Sequence, residues 1–277
     1  MKIAVLGNGS IGLTSALSLS DAGHKVYLFG DRNKTGSASK AAGAMLNVMA
    51  EMEDNQLDFT PSKKKFYLAY NSQKKWKGFI KKNFSPKEFR SYNKRFTLVF
   101  RNNFTTPFEE NQFKYLKSHL NSFPNDIKLN YRKLKTNNYK SVKELIHLPE
   151  EKYIDSRLLL SRLDNLLIKN KVKMVFDKKI YKLKKRNHKI EIKYQNKTEI
   201  FDYVVIALGS YTQKFNEINR KLVGKIPKIF FGTGTAFRVK KKNFTPKFIK
   251  SDYVLRTMNR GNACGFHLVP LNNDEYY

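Results

Sequence analysis

The sequence predicts an α/β protein: a Rossmann-like nucleotide-binding domain interleaved with an α+β domain built on an antiparallel sheet. Three observations carry this reading. A glycine turn of spacing G-x-G-x-x-G stands between an apolar run and a helix-compatible segment near the N-terminus. A continuous apolar run, Tyr203-Val204-Val205-Ile206-Ala207-Leu208-Gly209, has the character of a buried parallel strand. The rest alternates one-sided helices with short β-rich runs parted by polar turns.

Ile3-Ala4-Val5-Leu6 is the first strand, and Gly7-Asn8-Gly9-Ser10-Ile11-Gly12 follows at once. In such a turn Gly7 permits the bend, Gly9 lets backbone approach a pyrophosphate, and Gly12 lets a helix lie close to the strand. Ser10 and Ile11 open that helix, whose free N–H groups and positive dipole end suit phosphate oxygens. Residues 14–22 continue it, Gly23 ends it, and Lys25-Val26-Tyr27-Leu28-Phe29 is the second strand. An acid that holds a ribose is expected about 20 residues after the motif, at this strand's end. Gly30 occupies that place, with Asp31 one residue later and Arg32 after it. Asp31 is expected to reach the ribose; the alternative makes it a turn residue and leaves the nucleotide to Arg32 or to backbone.

Composition bounds the rest. A chain of 277 residues buries a full core in one or two domains. Its one cysteine, Cys264, excludes an internal disulfide and a cysteine-rich metal site, and suits a reducing cytoplasm. No run approaches the length of a membrane span. The net charge is +31, a balance that often marks a nucleic-acid or anionic-membrane partner. Here the excess is lysine spread through every segment and mixed with asparagine, as AT-rich codon usage produces, so neither partner is expected. Residues 61–82 read as a helix with Phe66, Leu68, Ala69, Trp76, Phe79 and Ile80 as apolar positions and a solvated lysine face.

After the second strand comes Gly36-Ser37-Ala38-Ser39-Lys40-Ala41-Ala42-Gly43-Ala44-Met45-Leu46, small side chains that let backbone lie against something flat. The stretch Ser39 to Leu46 resembles the S-x-A-A-G-x-L run of the D-amino acid oxidase family of flavoenzymes, most closely its glycine oxidase and sarcosine oxidase branch. One extra residue stands between Gly43 and Met45. The resemblance implies that the cofactor is FAD and that Ser39, Gly43, Ala44 and Met45 line the flavin. It further implies that Ile180 touches the adenine and that the strand ending at Gly209 closes over the diphosphate. Tyr211 stands where the family has tryptophan. His267 occupies the place of an aromatic residue that reaches toward substrate, just before Leu268-Val269-Pro270.

The resemblance divides the chain into an FAD-binding domain, 1–60 with 151–215, and a substrate domain, 61–150 with 216–277. It implies hydride transfer from a small amine or amino acid to flavin N5, so no Ser/His/Asp triad, carboxylate pair or metal cluster is required, and no catalytic acid or base is assigned. An NAD-dependent dehydrogenase uses the same glycine turn, but the Ser39–Leu46 run favours FAD. Other readings are a flavin-dependent tRNA-modifying enzyme of the same family and a non-catalytic protein that binds RNA. The family pattern continues past the point where Tyr276-Tyr277 ends this sequence, so the resemblance implies weak FAD retention and little turnover. Scattered lysine predicts weak, sequence-independent RNA binding that disappears near physiological salt in a retention assay across a salt series. Tight binding that persists there would reveal a true phosphate-binding face.

Overall fold

The structure is a computed structural model. It describes residues 1–120, 130–136, 141–176, 181–194, 196–224, 229, 232, 237–240, 253–259, 265–271 and 275–277. The chain separates into two units, Met1–Ala42 with Ser156–Thr235 and Gly43–Asp155 with Ala236–Tyr277.

In the first unit, strand β1 (Lys2–Leu6) runs into helix α1 (Ser10–Asp21) and strand β2 (Lys25–Gly30). The strands Tyr203–Ile206 and Lys173–Phe176 complete a four-stranded sheet in which every pairing is parallel. Parallel strands need crossover connections, and these put helices on the sheet. One is α1, which packs on the Ser156–Lys169 helix through buried Leu13, Ala16, Leu160 and Leu163. A second core holds Phe29 edge-on to Tyr181, Tyr194 and Phe201, with centroids 5.2, 5.0 and 6.0 Å away. Those partners belong to or adjoin an antiparallel sheet of Leu183–Arg186, Lys189–Tyr194 and Lys197–Phe201.

The late apolar run departs from expectation. Its strand covers Tyr203–Ile206 and, among the described residues, pairs only with β1; its side chains are exposed or half-buried where a buried strand was expected. Beyond it a short 3-10 turn, Gly209–Tyr211, leads into the helix Thr212–Val223. That helix buries Phe215 in the second core.

The second unit is built on a five-stranded sheet ordered His267–Leu268, Tyr253–Arg256, Phe96–Asn102, Val142–Leu148, Arg132–Lys133. Three of its four pairings are antiparallel; Tyr253–Arg256 runs parallel to Phe96–Asn102. The helices Thr60–Asn83 and Pro107–His119 set Phe66, Tyr70, Phe113 and Leu116 against Val99, Ile146 and Leu148. Leu68, one of the apolar positions of the first of these helices, is exposed, because the buried side repeats through Phe66, Tyr70 and Ile80. Two capping boxes fix helix starts, Ser85 with Glu88 and Thr106 with Glu109, each followed by proline.

The boundaries between units differ from those drawn from sequence. Residues 43–60 and 151–155 belong with the second unit, since Met45–Leu46 pairs antiparallel with Lys152–Tyr153. Residues 216–235 belong with the first. Two adjacent buried charges anchor the return strand. The Glu151 carboxylate accepts from the backbone N–H groups of Val48, Met49 and Ala50. The Lys152 ammonium donates to three carbonyls, those of Asn93, Arg95 and Pro149, at 3.1, 2.8 and 2.9 Å. Burial pulls Lys152 below the usual lysine range.

Lys152→Met keeps the stem and strands three carbonyls that had a charged donor. An unsatisfied buried group costs about 1–3 kcal/mol. Chemical denaturation should therefore show a loss of at least that size, whereas Lys152→Arg should recover part of it.

Candidate functional site

The glycine turn is shaped by two contacts that no side chain tolerates. Gly7 has φ +107°, and a Cβ there would stand 2.2 Å from the carbonyl oxygen of Ala207. A Cβ on Gly12 would stand 1.8 Å from the carbonyl oxygen of Gly7. The first turn of α1 is thereby pressed onto the C-terminal ends of β1 and of the Tyr203–Ile206 strand.

Gly9 differs. A Cβ there would meet only Ser39, whose Oγ lies 3.1 Å away. Gly9 is the N-cap of α1 and has no side chain to satisfy the helix end, and the first turn holds no acid. Ser39 takes part of that role from the next loop: its Oγ accepts from Ser10 N–H at 3.0 Å and is 3.1 Å from Ser10 Oγ. Ile11, in the same first turn, is 69 % exposed. Ser10 and Ser39 are thus direct neighbours. The small-residue stretch is more ordered than a plain loop, with one helical turn at Ala38–Ala41 and the strand Met45–Leu46.

At the end of β2 the missing acid has a steric reason. The Asn8 side chain lies over Gly30, and a Cβ on Gly30 would fall 2.3 Å from Asn8 Cγ. Asn8 Nδ2 donates to the Asp31 carbonyl at 2.8 Å, which pins the turn. The Asp31 carboxylate folds onto its own loop, accepting from Asn33 N–H at 3.2 Å and Thr35 N–H at 3.0 Å. These bonds make Asp31 a turn residue. The Arg32 guanidinium lies 4.8 Å from the centroid of the Phe176 ring. Gly209 has φ +56°, and a Cβ there would meet nothing within 4 Å. Ile180 lies outside the described residues.

The remaining expected residues belong to the second unit. A Cβ on Gly43 would lie 3.2 Å from Val269 Cγ2 and 3.4 Å from Tyr277 Cδ1. Ala44 is left-handed at φ 46°, and its carbonyl accepts from Ile154 N–H at 3.1 Å. Met45 packs against the cluster of Tyr153, Val254 and Val269, as does Tyr277. His267 is the cross-strand partner of Arg256, which is fully buried. Arg256 pairs with Glu51 and donates to Asn259 Oδ1 at 2.9 Å. Burial alone raises the Glu51 carboxyl, but the charge and hydrogen bond of Arg256, with Asn259, outweigh it and hold Glu51 below the usual carboxylate range. Burial, reinforced by Arg256 and opposed by Glu51, pulls the His267 ring down to about 4, so it is neutral at pH 7.

The family profile described as FAD dependent oxidoreductase (DAO) matches residues 2–277. The chain belongs to this family. Among curated sequences none is significantly similar to it. Solved structures share its fold at low identity. Iminodiacetate oxidase from Chelativorans sp. BNC1 is 18% identical with a TM-score of 0.59, over 78% of this chain and 56% of that one. Glycine oxidase from Geobacillus kaustophilus is 16% identical with a TM-score of 0.62, over 78% and 57%. L-alpha-glycerophosphate oxidase from Mycoplasma pneumoniae, solved with FAD bound, is 16% identical with a TM-score of 0.57, over 79% and 56%. The chain spans a little over half the length of these structures.

The cofactor of this DAO-family chain is FAD. The residues present fit it: the helix end at Gly9 is open on one side, bounded by a hydroxyl and free of negative charge. Among the described residues no helix is long and apolar enough to cross a membrane. Sequence reasoning passed over Asn8, Glu51, Glu151 and Arg256. Arg256 had a signal, since it is the one charge in the run Tyr253-Val254-Leu255-Arg256. Asn8 had another, because it faces the glycine that replaces the expected acid.

Gly9→Asp should abolish flavin binding while leaving the far-UV spectrum unchanged, because it puts a carboxylate where the diphosphate would lie. Wild-type flavin occupancy in that variant would remove the turn from the site. Asp31→Ala should weaken FAD by ~1.5–3 kcal/mol if Asp31 also bonds the ribose. An unchanged affinity would leave it a turn residue alone.

Proposed function

We propose that this DAO-family chain oxidises an amine or amino acid, with FAD as the electron acceptor. The observation that carries the reading is the Ser39 hydroxyl beneath Gly9, which joins the glycine turn to the start of the small-residue stretch within the first unit. Gly7 and Gly12 shape the turn, and Gly9, Ser10, Ile11 and Ser39 hold the diphosphate through backbone N–H and hydroxyl groups. Asp31 and Arg32 serve the adenosine end, with Gly209 beside the diphosphate. Gly43, Ala44 and Met45 hold the flavin. Bound FAD supplies a two-electron acceptor for the hydrogen of the carbon that bears the amine.

The protein's own contribution is orientation and exclusion of water. The Met45 cluster with Tyr153, Val254 and Val269 lines that face mainly with apolar atoms. His267, neutral at pH 7, is able to accept or donate one hydrogen bond to substrate without adding charge. A substrate amine must be unprotonated when its carbon loses hydride. A neutral imidazole keeps a ring nitrogen able to accept a hydrogen bond from the amine N–H, which an imidazolium lacks.

The test is anaerobic mixing of the flavin-loaded protein with glycine, N-alkyl glycines, larger amino acids and glycerol phosphate, following loss of flavin absorbance. Bleaching by an amine or amino acid is the expected outcome. Bleaching by glycerol phosphate alone would replace the amine with an alcohol substrate, in the manner of the Mycoplasma pneumoniae enzyme's name.

A further inference from the structure

In the second unit three consecutive backbone N–H groups turn inward to one side chain. Val48 N–H reaches Glu151 Oε1 at 2.8 Å, Met49 N–H reaches the same oxygen, and Ala50 N–H reaches Oε2 at 3.1 Å. Glu151 is 1 % exposed, so water cannot take its place. Three converging donors need an acceptor with no N–H of its own. A carboxylate meets that need, whereas a carboxamide would turn its own donor against them. The Glu151 backbone is held as well, since Thr97 Oγ1 donates to its carbonyl at 3.0 Å.

The residue after this trio is Glu51. Its Oε2 accepts from Asn259 Nδ2 at 2.9 Å, and its Oε1 meets Arg256 Nη1. Arg256 donates to Glu51, Asn259 and the Thr257 carbonyl. Because Arg256 and His267 are direct cross-strand partners, their side chains share one face of the sheet. His267 Nε2 is buried with no partner among the described residues. A continuous set of bonds therefore runs from Glu151, through three loop amides, to Glu51 and to Arg256 beside His267.

We propose that Glu151 is a positioning residue for the His267 side of the second unit: by gathering the Val48, Met49 and Ala50 amides it sets where Glu51 meets Arg256. Its value to substrate rests on the reading of His267 as a substrate contact, but its test does not use substrate. The charges acting on these groups are Arg256 on Glu151, and Arg256 with Glu51 on His267.

The first measurement uses the wild-type protein. Burial pushes the Glu151 carboxyl up to about 7 against the pull of the three amides and Arg256. The amide proton signals of Val48, Met49 and Ala50 should therefore shift together across neutral pH with a single midpoint. Separate midpoints, or no shift, would overturn the proposal whether or not any variant folds. In Glu151→Gln, checked for folding by circular dichroism, Glu51 should draw away from Arg256, and the His267 ring, losing the one charge that raises it, should titrate below its wild-type midpoint. His267→Asn assigns the ring signal. Glutamyl endopeptidase should cut after Glu51 and Glu53 about tenfold faster as the loop opens locally. A folded Glu151→Gln protein with wild-type His267 titration and wild-type cleavage would reduce Glu151 to core filling. If His267→Asn leaves flavin reduction by substrate unchanged, the substrate reading fails while these readouts still stand.

Discussion

A helix can approach a strand only as closely as the atoms between them allow, and the first unit depends on removing those atoms. Gly12 lies so near the Gly7 carbonyl that one added carbon would overlap it, and Gly7 stands as close to Ala207. With both side chains absent, α1 starts at the very end of β1, and its first N–H groups are delivered at the sheet's C-terminal edge. The parallel order of the four strands follows from the crossovers that return the chain to that edge. The aromatic cluster around Phe29 then covers a face of the sheet.

The second unit solves a different problem with charge. A return strand of two residues, Lys152–Tyr153, has little ladder of its own to hold it. Glu151 and Lys152 supply what is missing, one by collecting backbone donors and the other by collecting backbone acceptors. Both charges are buried, and each is surrounded by several dipoles of opposite sense, the arrangement that makes burial of an ion tolerable. Thr97 adds a bond to the Glu151 carbonyl and so ties the strand Phe96–Asn102 to the same point.

Much of the first unit was legible because its chemistry is local. The glycine turn, Ser39 and both N-terminal strands sit within 46 residues, and each glycine's reason lies a few residues away. The Tyr203–Gly209 run was legible as a parallel strand but not as an edge, since its number of neighbours is decided by chain elsewhere. The helix Pro86–Lys94 carried a readable start in Ser85-Pro86-Lys87-Glu88, an N-cap, a proline and a capping glutamate. Glu151 was not legible, for it stands in Pro149-Glu150-Glu151-Lys152 like any surface charge. Only the fold shows that its partners lie about a hundred positions earlier. The pairing of Met45 with Tyr153 spans a similar distance and was illegible for the same cause.

Asn8 and Gly30 carry one last consequence. The side chain of one fills the space that the other vacates, so the two positions behave as a single two-residue character. An acid installed at 30 alone would collide with Asn8, while a smaller residue at 8 alone would leave a gap and release the Asp31 carbonyl. Each single step is unfavourable, although the pair of changes together relieves both faults, which is the signature of non-additive neighbours. The geometry of this turn is therefore guarded by a two-step barrier. A lineage drifting one codon at a time would tend to keep Asn8 with Gly30, and variation at one position should be read only alongside the other.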